Sequence, residues 1–256
     1  MNYLHAVILS IIEGLTEFLP ISSTGHLILA VNLLQIPDSD FVKNFEIIIQ
    51  LGAILAVATL YYRKIIRRKD LYPRVLAAFI PALVVGFIFY GLIKRFLLGN
   101  PAVVLTALLL GGITLIAVDR FVKTKKASIS DLTIRQSVII GLFQTISMIP
   151  GISRSAATIV GGLMVGLSRT DAVEFSFLLA IPTMAAATGL DLIKSSFLFS
   201  PKEILILLIG FMGAFLSALA AVRTFISYVQ KHNFTGFGIY RICISVLYWF
   251  FIIRQP

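Results

Sequence analysis

Six stretches of this 256-residue chain are apolar for long enough to cross a lipid bilayer: Phe45–Tyr62, Val75–Ile93, Pro101–Val118, Phe175–Leu190, Ile204–Val222 and Phe237–Ile253. A spanning helix needs about 20 such residues, and the fourth stretch reaches that length when counted from Val173 to Ile193. Hydrocarbon offers no hydrogen-bond partner to an open backbone, so each stretch is expected to be helical. Pro81, Gly111, Gly112, Pro182, Gly210 and Gly213 fall inside them, as is ordinary in membrane helices. Charged residues make up 13% of the chain, against about 25% in a soluble domain. A chain with so few charges cannot clothe a water-facing surface. The expectation is one all-α polytopic membrane domain over residues 1–256, with no soluble appendage.

The net charge of +10 does not indicate nucleic acid. The cations gather in short loops between apolar runs, where they orient the chain and meet anionic headgroups of membrane lipids. The single cysteine, Cys243, lies in an apolar run, which excludes a disulfide or a cysteine metal site within one chain. The N-terminus lacks the basic start of a secretory signal peptide and places Glu13 and Glu17 where its apolar core would be.

Two segments do not fit a simple span. Leu4–Leu33 is interrupted by Leu19-Pro20-Ile21-Ser22-Ser23-Thr24-Gly25-His26, and Ile134–Leu167 by Met148-Ile149-Pro150-Gly151-Ile152-Ser153-Arg154-Ser155. Each apolar arm is too short to cross alone, so both segments are expected to be re-entrant helix–loop–helix hairpins. They also read as one unit used twice. With Ser22 placed on Ser153, Glu13 falls on Gln144 and Ser22-Ser23-Thr24 on Ser153-Arg154-Ser155; Glu46 and Glu174 then open the span after each hairpin. The repeats cover approximately 1–122 and 132–256. Three spans per half would invert the second copy, a transporter-type architecture with broken helices meeting at mid-membrane.

Loop charge selects an orientation. Arg63, Lys64, Arg67, Arg68, Lys69, Arg120, Lys123, Lys125, Lys126, Arg135, Arg223 and Lys231 outnumber Lys43, Lys94, Arg95, Lys194, Lys202 and Arg254 on the other side. The positive-inside rule makes the first set cytoplasmic. Both termini and the entry of the first hairpin then face outward.

Ionisable groups at membrane depth are functional candidates: Glu13, Glu17, His26, Glu46 and Arg154, with Asp191 and Arg241 as outliers. Glu13 and Glu17 are four residues apart and share a helix face. No lysine or arginine lies within nine positions of either, so the pair calls for a proton, a metal ion or a cation from another helix. Ser22, Ser23 and Thr24 can cap the second arm, while the same helix N-terminus favours an anion. His26 can act as acid, base or nucleophile. Arg154, flanked by Ser153 and Ser155, can pair internally with a glutamate or clamp phosphate with its planar fork. Together these groups suit phosphoryl transfer, and the residues alone leave hydrolysis and transport of an anionic lipid both open.

At these residues the chain resembles the undecaprenyl-diphosphate phosphatases, the bacitracin-resistance proteins of bacteria. Glu13-Gly14-Leu15-Thr16-Glu17-Phe18-Leu19-Pro20-Ile21-Ser22-Ser23-Thr24-Gly25-His26-Leu27 matches the family's first signature almost throughout, and Pro150-Gly151-Ile152-Ser153-Arg154-Ser155 its second. Phe45-Glu46 and Gln50-Leu51-Gly52-Ala53-Ile54-Leu55-Ala56 are also similar. Ala156 departs from the family's usual glycine. The resemblance implies hydrolysis of a C55 isoprenyl diphosphate to the monophosphate carrier of peptidoglycan synthesis, with bacitracin resistance as a consequence. It implies a divalent cation, Mg2+ or Ca2+, and a site on the outer side of the bacterial cytoplasmic membrane. The family's roles fall on Glu13 and Glu17 as the acidic, metal-binding pair, on Ser23 and His26 as nucleophile and acid/base, and on Ser153 and Arg154 as phosphate ligands. Ser22, Thr24 and Ser155 are expected to join the phosphate site. A lipid-phosphate flippase is the alternative, and a homodimer is compatible with such a chain.

Overall fold

A computed structural model gives the structure of residues 1–92, 101–122, 127–194 and 199–253. Among the described residues it contains helices and no strand. In order these are α1 (Tyr3–Thr16), α2 (Ser23–Leu33), α3 (Asp40–Arg67), α4 (Tyr72–Leu92), α5 (Pro101–Phe121), α6 (Ile134–Ile146), α7 (Arg154–Met164), α8 (Arg169–Lys194), α9 (Pro201–Val229) and α10 (Thr235–Ile253). Lys94, Arg95, Lys123, Lys125, Lys126, Arg254 and the last residue of the expected span 75–93 lie outside the described residues.

Five of the six expected spans, α3, α4, α5, α8 and α9, are long and apolar enough to cross a membrane. The apolar stretch of α10, Thr235–Phe250, is shorter. Apolar side chains cover the outside of the bundle, with Phe87 85% and Ile193 84% exposed. Such a surface is stable only against lipid.

Helix ends follow the sequence. Thr133 and Gln136 form a reciprocal capping box that starts α6, and Ser200 and Glu203 form another that starts α9. Proline has no N–H to donate and clashes with the preceding turn, and the helical path is broken around Pro20 and Pro150. The resulting helices α1, α2, α6 and α7 have 14, 11, 13 and 11 residues. At 1.5 Å per residue none is longer than about 21 Å, short of a hydrocarbon core of about 30 Å. The second helix after each break spans matching positions, Ser23–Leu33 and Arg154–Met164, under the superposition of Ser22 on Ser153.

The bundle is closely packed where α9 meets α1 and α3. Gly210, Ala214 and Ala218 are buried on α9, and a Cβ on Gly14 of α1 would lie 2.0 Å from Ser217 Oγ and 2.5 Å from the Ala214 carbonyl oxygen. Backbone oxygen cannot swing aside as a flexible side chain can. Gly14→Ala should therefore destabilise the protein by about 1–3 kcal/mol through overpacking, although alanine is the better helix former. Gly189→Ala, where a Cβ meets nothing within 4 Å, is the control, and thermal unfolding in detergent measures both.

Polar contacts draw the cation-bearing turns to one end. Lys64 pairs with Glu174, and Arg169 with Asp119 at 3.2 Å. Arg68 donates to Ser130 Oγ, Arg74 donates to the carbonyls of Leu132 and Ser130, and Asp119 accepts from the Phe234 N–H. At the other end Phe41 meets Phe199, with ring centroids 6.1 Å apart. A column of aromatic rings runs through the core: Phe18 packs edge-on to Phe177 (5.6 Å), Phe177 against Tyr61 and Phe225, and Phe225 against Phe234 and Phe237.

Candidate active site

The two breaks meet in the middle of the bundle. Ser155 Oγ donates to the Phe18 carbonyl at 2.7 Å, and the Arg154 guanidinium stacks over the Phe18 ring with 5.4 Å to the centroid. Arg154 Nη2 donates to Glu17 Oε1 at 3.1 Å, joining the second turn to the first. Both turns share one unusual feature: Ser22 (φ 70°) and Ser153 (φ 73°) are in left-handed backbone. A non-glycine residue there costs about 1–3 kcal/mol and persists only where its surroundings fix it. Each serine also caps the helix it precedes, with Ser22 Oγ accepting from the Gly25 N–H and Ser153 Oγ from the Ala156 N–H. Gly151 has φ 94°, and a Cβ on it would lie 2.6 Å from the Val104 carbonyl oxygen, so both conformation and space demand glycine.

A cavity of about 260 Å3 opens between the turns. Glu17, Ser22, Ser23, Thr24, Ser153 and Arg154 line it, all of them singled out in the sequence. Glu17 is the hub. Its Oε2 accepts from Ser23 Oγ at 2.5 Å while its Oε1 accepts from Arg154. One carboxylate thus holds a hydroxyl and a guanidinium at the N-termini of α2 and α7. Arg154 also donates through Nη1 to the Ser176 carbonyl. The N-termini of two helices face the same cavity, and their N–H groups and dipoles favour a polyanion.

Three predicted residues lie elsewhere. Glu13 is fully buried behind this group, and neither of its carboxylate oxygens has a hydrogen-bond partner. Ser155 is spent on the Phe18 carbonyl and does not line the cavity. His26, expected to partner Ser23, instead bonds the Ser22 carbonyl through Nδ1 (2.8 Å) and the Tyr240 hydroxyl through Nε2 (2.8 Å), stacking on the Tyr240 ring. The helical tilt does carry the ring back toward the turn, but Ser23 is already engaged by Glu17. Glu46 stays on α3 outside the lining, and Ala156 sits in α7 with its N–H on the Ser153 cap.

Sequence reasoning missed Gln50, Ser147, Thr183 and Thr188, which complete the polar lining. Gln50 stands in one of the family-like runs; nothing local marks the two threonines.

Comparison with known proteins identifies the family. The family model described as bacitracin resistance protein BacA matches residues 6–247. The undecaprenyl-diphosphatase of Aquifex aeolicus is 51% identical over 250 residues, covering 97% of this chain and 98% of the relative. That of Persephonella marina is 47% identical over 256 residues, covering 99% and 100%. That of Bdellovibrio bacteriovorus is 46% identical over 250 residues, covering 96% and 95%. A family match spanning the cavity and nearly the whole chain decides the question: the chain belongs to the bacitracin resistance protein BacA family.

Proposed function

We propose that this protein hydrolyses undecaprenyl diphosphate to undecaprenyl phosphate and inorganic phosphate, returning the lipid carrier to peptidoglycan synthesis and protecting against bacitracin. The observation that carries the reading is the Ser23–Glu17–Arg154 relay in a polar cavity at the meeting of two helix N-termini. Ser23 Oγ is the nucleophile. As it attacks the terminal phosphorus, its proton passes to Glu17 Oε2, and the bond to the bridging oxygen breaks to release the lipid monophosphate. Water then cleaves the phosphoserine to inorganic phosphate. Arg154 exchanges the carboxylate for phosphoryl oxygens and stabilises the charge that develops on them. The N–H groups at the starts of α2 and α7, with Thr24, hold the remaining oxygens. His26, pinned by Ser22 and Tyr240, supports the turn that presents Ser23. A flippase would need none of this nucleophile-and-base geometry. Purified protein in detergent should release phosphate from farnesyl diphosphate, a soluble prenyl analogue; absence of release from folded protein would overturn the reading.

Glu13 and Glu17 fit a divalent cation. Two carboxylate oxygens buried without partners, next to a second carboxylate one helical turn away, form a site short of positive charge. No group of three or more histidine, cysteine or acidic residues forms a metal cage among the described residues. Mg2+ is commonly held by one or two carboxylates together with substrate phosphates. Bound there, the ion would shield diphosphate charge. Glu13→Gln should raise the Mg2+ or Ca2+ concentration needed for half-maximal turnover by about tenfold, equivalent to 1.4 kcal/mol. It should also remove any thermal stabilisation by Ca2+ in the absence of substrate. Unchanged titrations would move the ion away from Glu13.

The fold is read as an inverted repeat of approximately 1–122 and 132–256, each half a re-entrant hairpin with three spans. The matched helix bounds and the paired left-handed serines support it. In this reading the cation-rich end faces the bacterial cytoplasm and the cavity is entered from outside. A cysteine at Lys43 should react with an impermeant thiol reagent applied outside intact cells, whereas one at Lys69 should not. The reverse pattern would turn the protein over.

A further inference from the structure

Among the described residues, Arg241 is the one fully buried cationic side chain that the reaction does not use. It lies on α10, fully buried, and takes part in none of the ion pairs among the described residues. Burying a guanidinium is costly unless its donors are satisfied. A guanidinium has five N–H donors in a fixed plane, and here the fork meets five backbone carbonyls. Nε donates to Leu108 at 3.2 Å, Nη1 to Pro20 at 3.1 Å and Ile152 at 3.0 Å, and Nη2 to Ala107 at 3.0 Å and Gly151 at 2.9 Å.

The identity of those carbonyls is informative. Pro20 belongs to the turn that presents Ser22 and Ser23, and Gly151 and Ile152 to the turn that presents Ser153 and Arg154. Ala107 and Leu108 lie on α5, which supplies a fixed frame. The Ile152 carbonyl belongs to the peptide that leads directly into the left-handed Ser153. One planar group therefore sets the orientation of peptides in both turns and the separation between them. Room for it is made by Gly111, where a Cβ would lie 2.2 Å from Nη2.

We infer that Arg241 is a positioning residue for the phosphatase: its guanidinium holds the Ser23 turn and the Arg154 turn in register, so that nucleophile and phosphate clamp converge on one phosphorus. This rests on the phosphatase reading above. It differs from a catalytic role, since the side chain is walled off from the cavity and touches no reacting atom. It differs also from a purely electrostatic role, because position depends on the planar five-donor fork and not on the charge alone. Lysine carries the same charge with three donors on a single nitrogen and cannot span five carbonyls.

Two variants test it, each assayed on farnesyl diphosphate as folded, monodisperse protein alongside the parent, whose own turnover tests the phosphatase reading separately. Arg241→Lys keeps the charge and loses the fork. Gly111→Ala leaves Arg241 intact but drives a methyl into Nη2, forcing the guanidinium off the Ala107 and Gly151 carbonyls; it serves if the lysine variant does not fold. Misplacement of catalytic groups by about 1 Å costs about 100-fold in rate. The expected result is a fall in kcat of that order in either variant, with KM within about threefold of the parent, because the phosphate ligands themselves remain. A residue that only stabilises the fold would instead reduce the yield of folded protein and leave kcat per folded molecule unchanged. Parental kcat in folded Arg241→Lys, or in folded Gly111→Ala, would overturn the inference.

Discussion

Ser23→Ala should abolish phosphate release, with a loss of at least about 10⁴-fold, as expected when the nucleophile of a concerted set is removed. The side chain satisfies three independent requirements. It lines the cavity, it stands at the start of α2 where N–H groups face an anion, and its hydroxyl is bonded at 2.5 Å to a carboxylate that can take its proton. The substitution removes one oxygen and leaves the Ser22 cap and the Arg154–Glu17 pair in place, so folding should survive. His26→Gln is the comparison that gives the number meaning. The imidazole hydrogen-bonds the Ser22 carbonyl and Tyr240 and does not line the cavity, so its loss should slow turnover by about 10²-fold through a loosened turn and leave measurable activity. Phosphate release by Ser23→Ala, or a phosphohistidine trapped in active protein, would move the attacking atom to His26.

Arg154→Lys should lower turnover by about 10²-fold, the scale of losing an oriented donor to developing charge. Arginine engages Glu17, the Ser176 carbonyl and the Met184 sulfur from one rigid plane over the Phe18 ring. Lysine can keep the ion pair with Glu17 and so preserve the resting arrangement. It cannot present a bidentate face to phosphoryl oxygens. The loss should appear in kcat more than in KM, since charge on those oxygens grows toward the transition state. Near-normal turnover would remove Arg154 from the clamp.

Much of the site was legible because its chemistry is concentrated in two short runs. Buried acids without a nearby lysine or arginine called for a proton, a metal ion or a cation from another helix, and for Glu17 the structure supplies the last of these in Arg154. The prolines and Gly151 announced the breaks, and hydroxyls after each break announced helix caps. Partner choice at His26 was not legible. Its hydroxyl partner, Tyr240, is 214 residues away in sequence, brought near only when α10 folds alongside α5. The same is true of Arg241, whose bonding groups are backbone carbonyls with no sequence signature at all. Periodicity and composition located the helices well, since lipid imposes them. The fourth span, short when read from apolar residues alone, extends in α8 from Arg169 to Lys194 because its ends carry the polar residues that anchor the turns.

A polar pit deep within a membrane protein threatens the ion gradients that a cell maintains across that membrane. The column of rings that begins at Phe18 bears on this hazard. Phe18 adjoins Glu17, the hub of the cavity, and contacts run from it through Phe177 and Phe225 to Phe234, beside the cation-rich end. Along that line there is hydrocarbon where a wire of water or hydroxyls would be needed to carry protons. Ring packed on ring carries no proton along its own length, so the polar cavity at Glu17 does not continue along this column to the turn at Phe234.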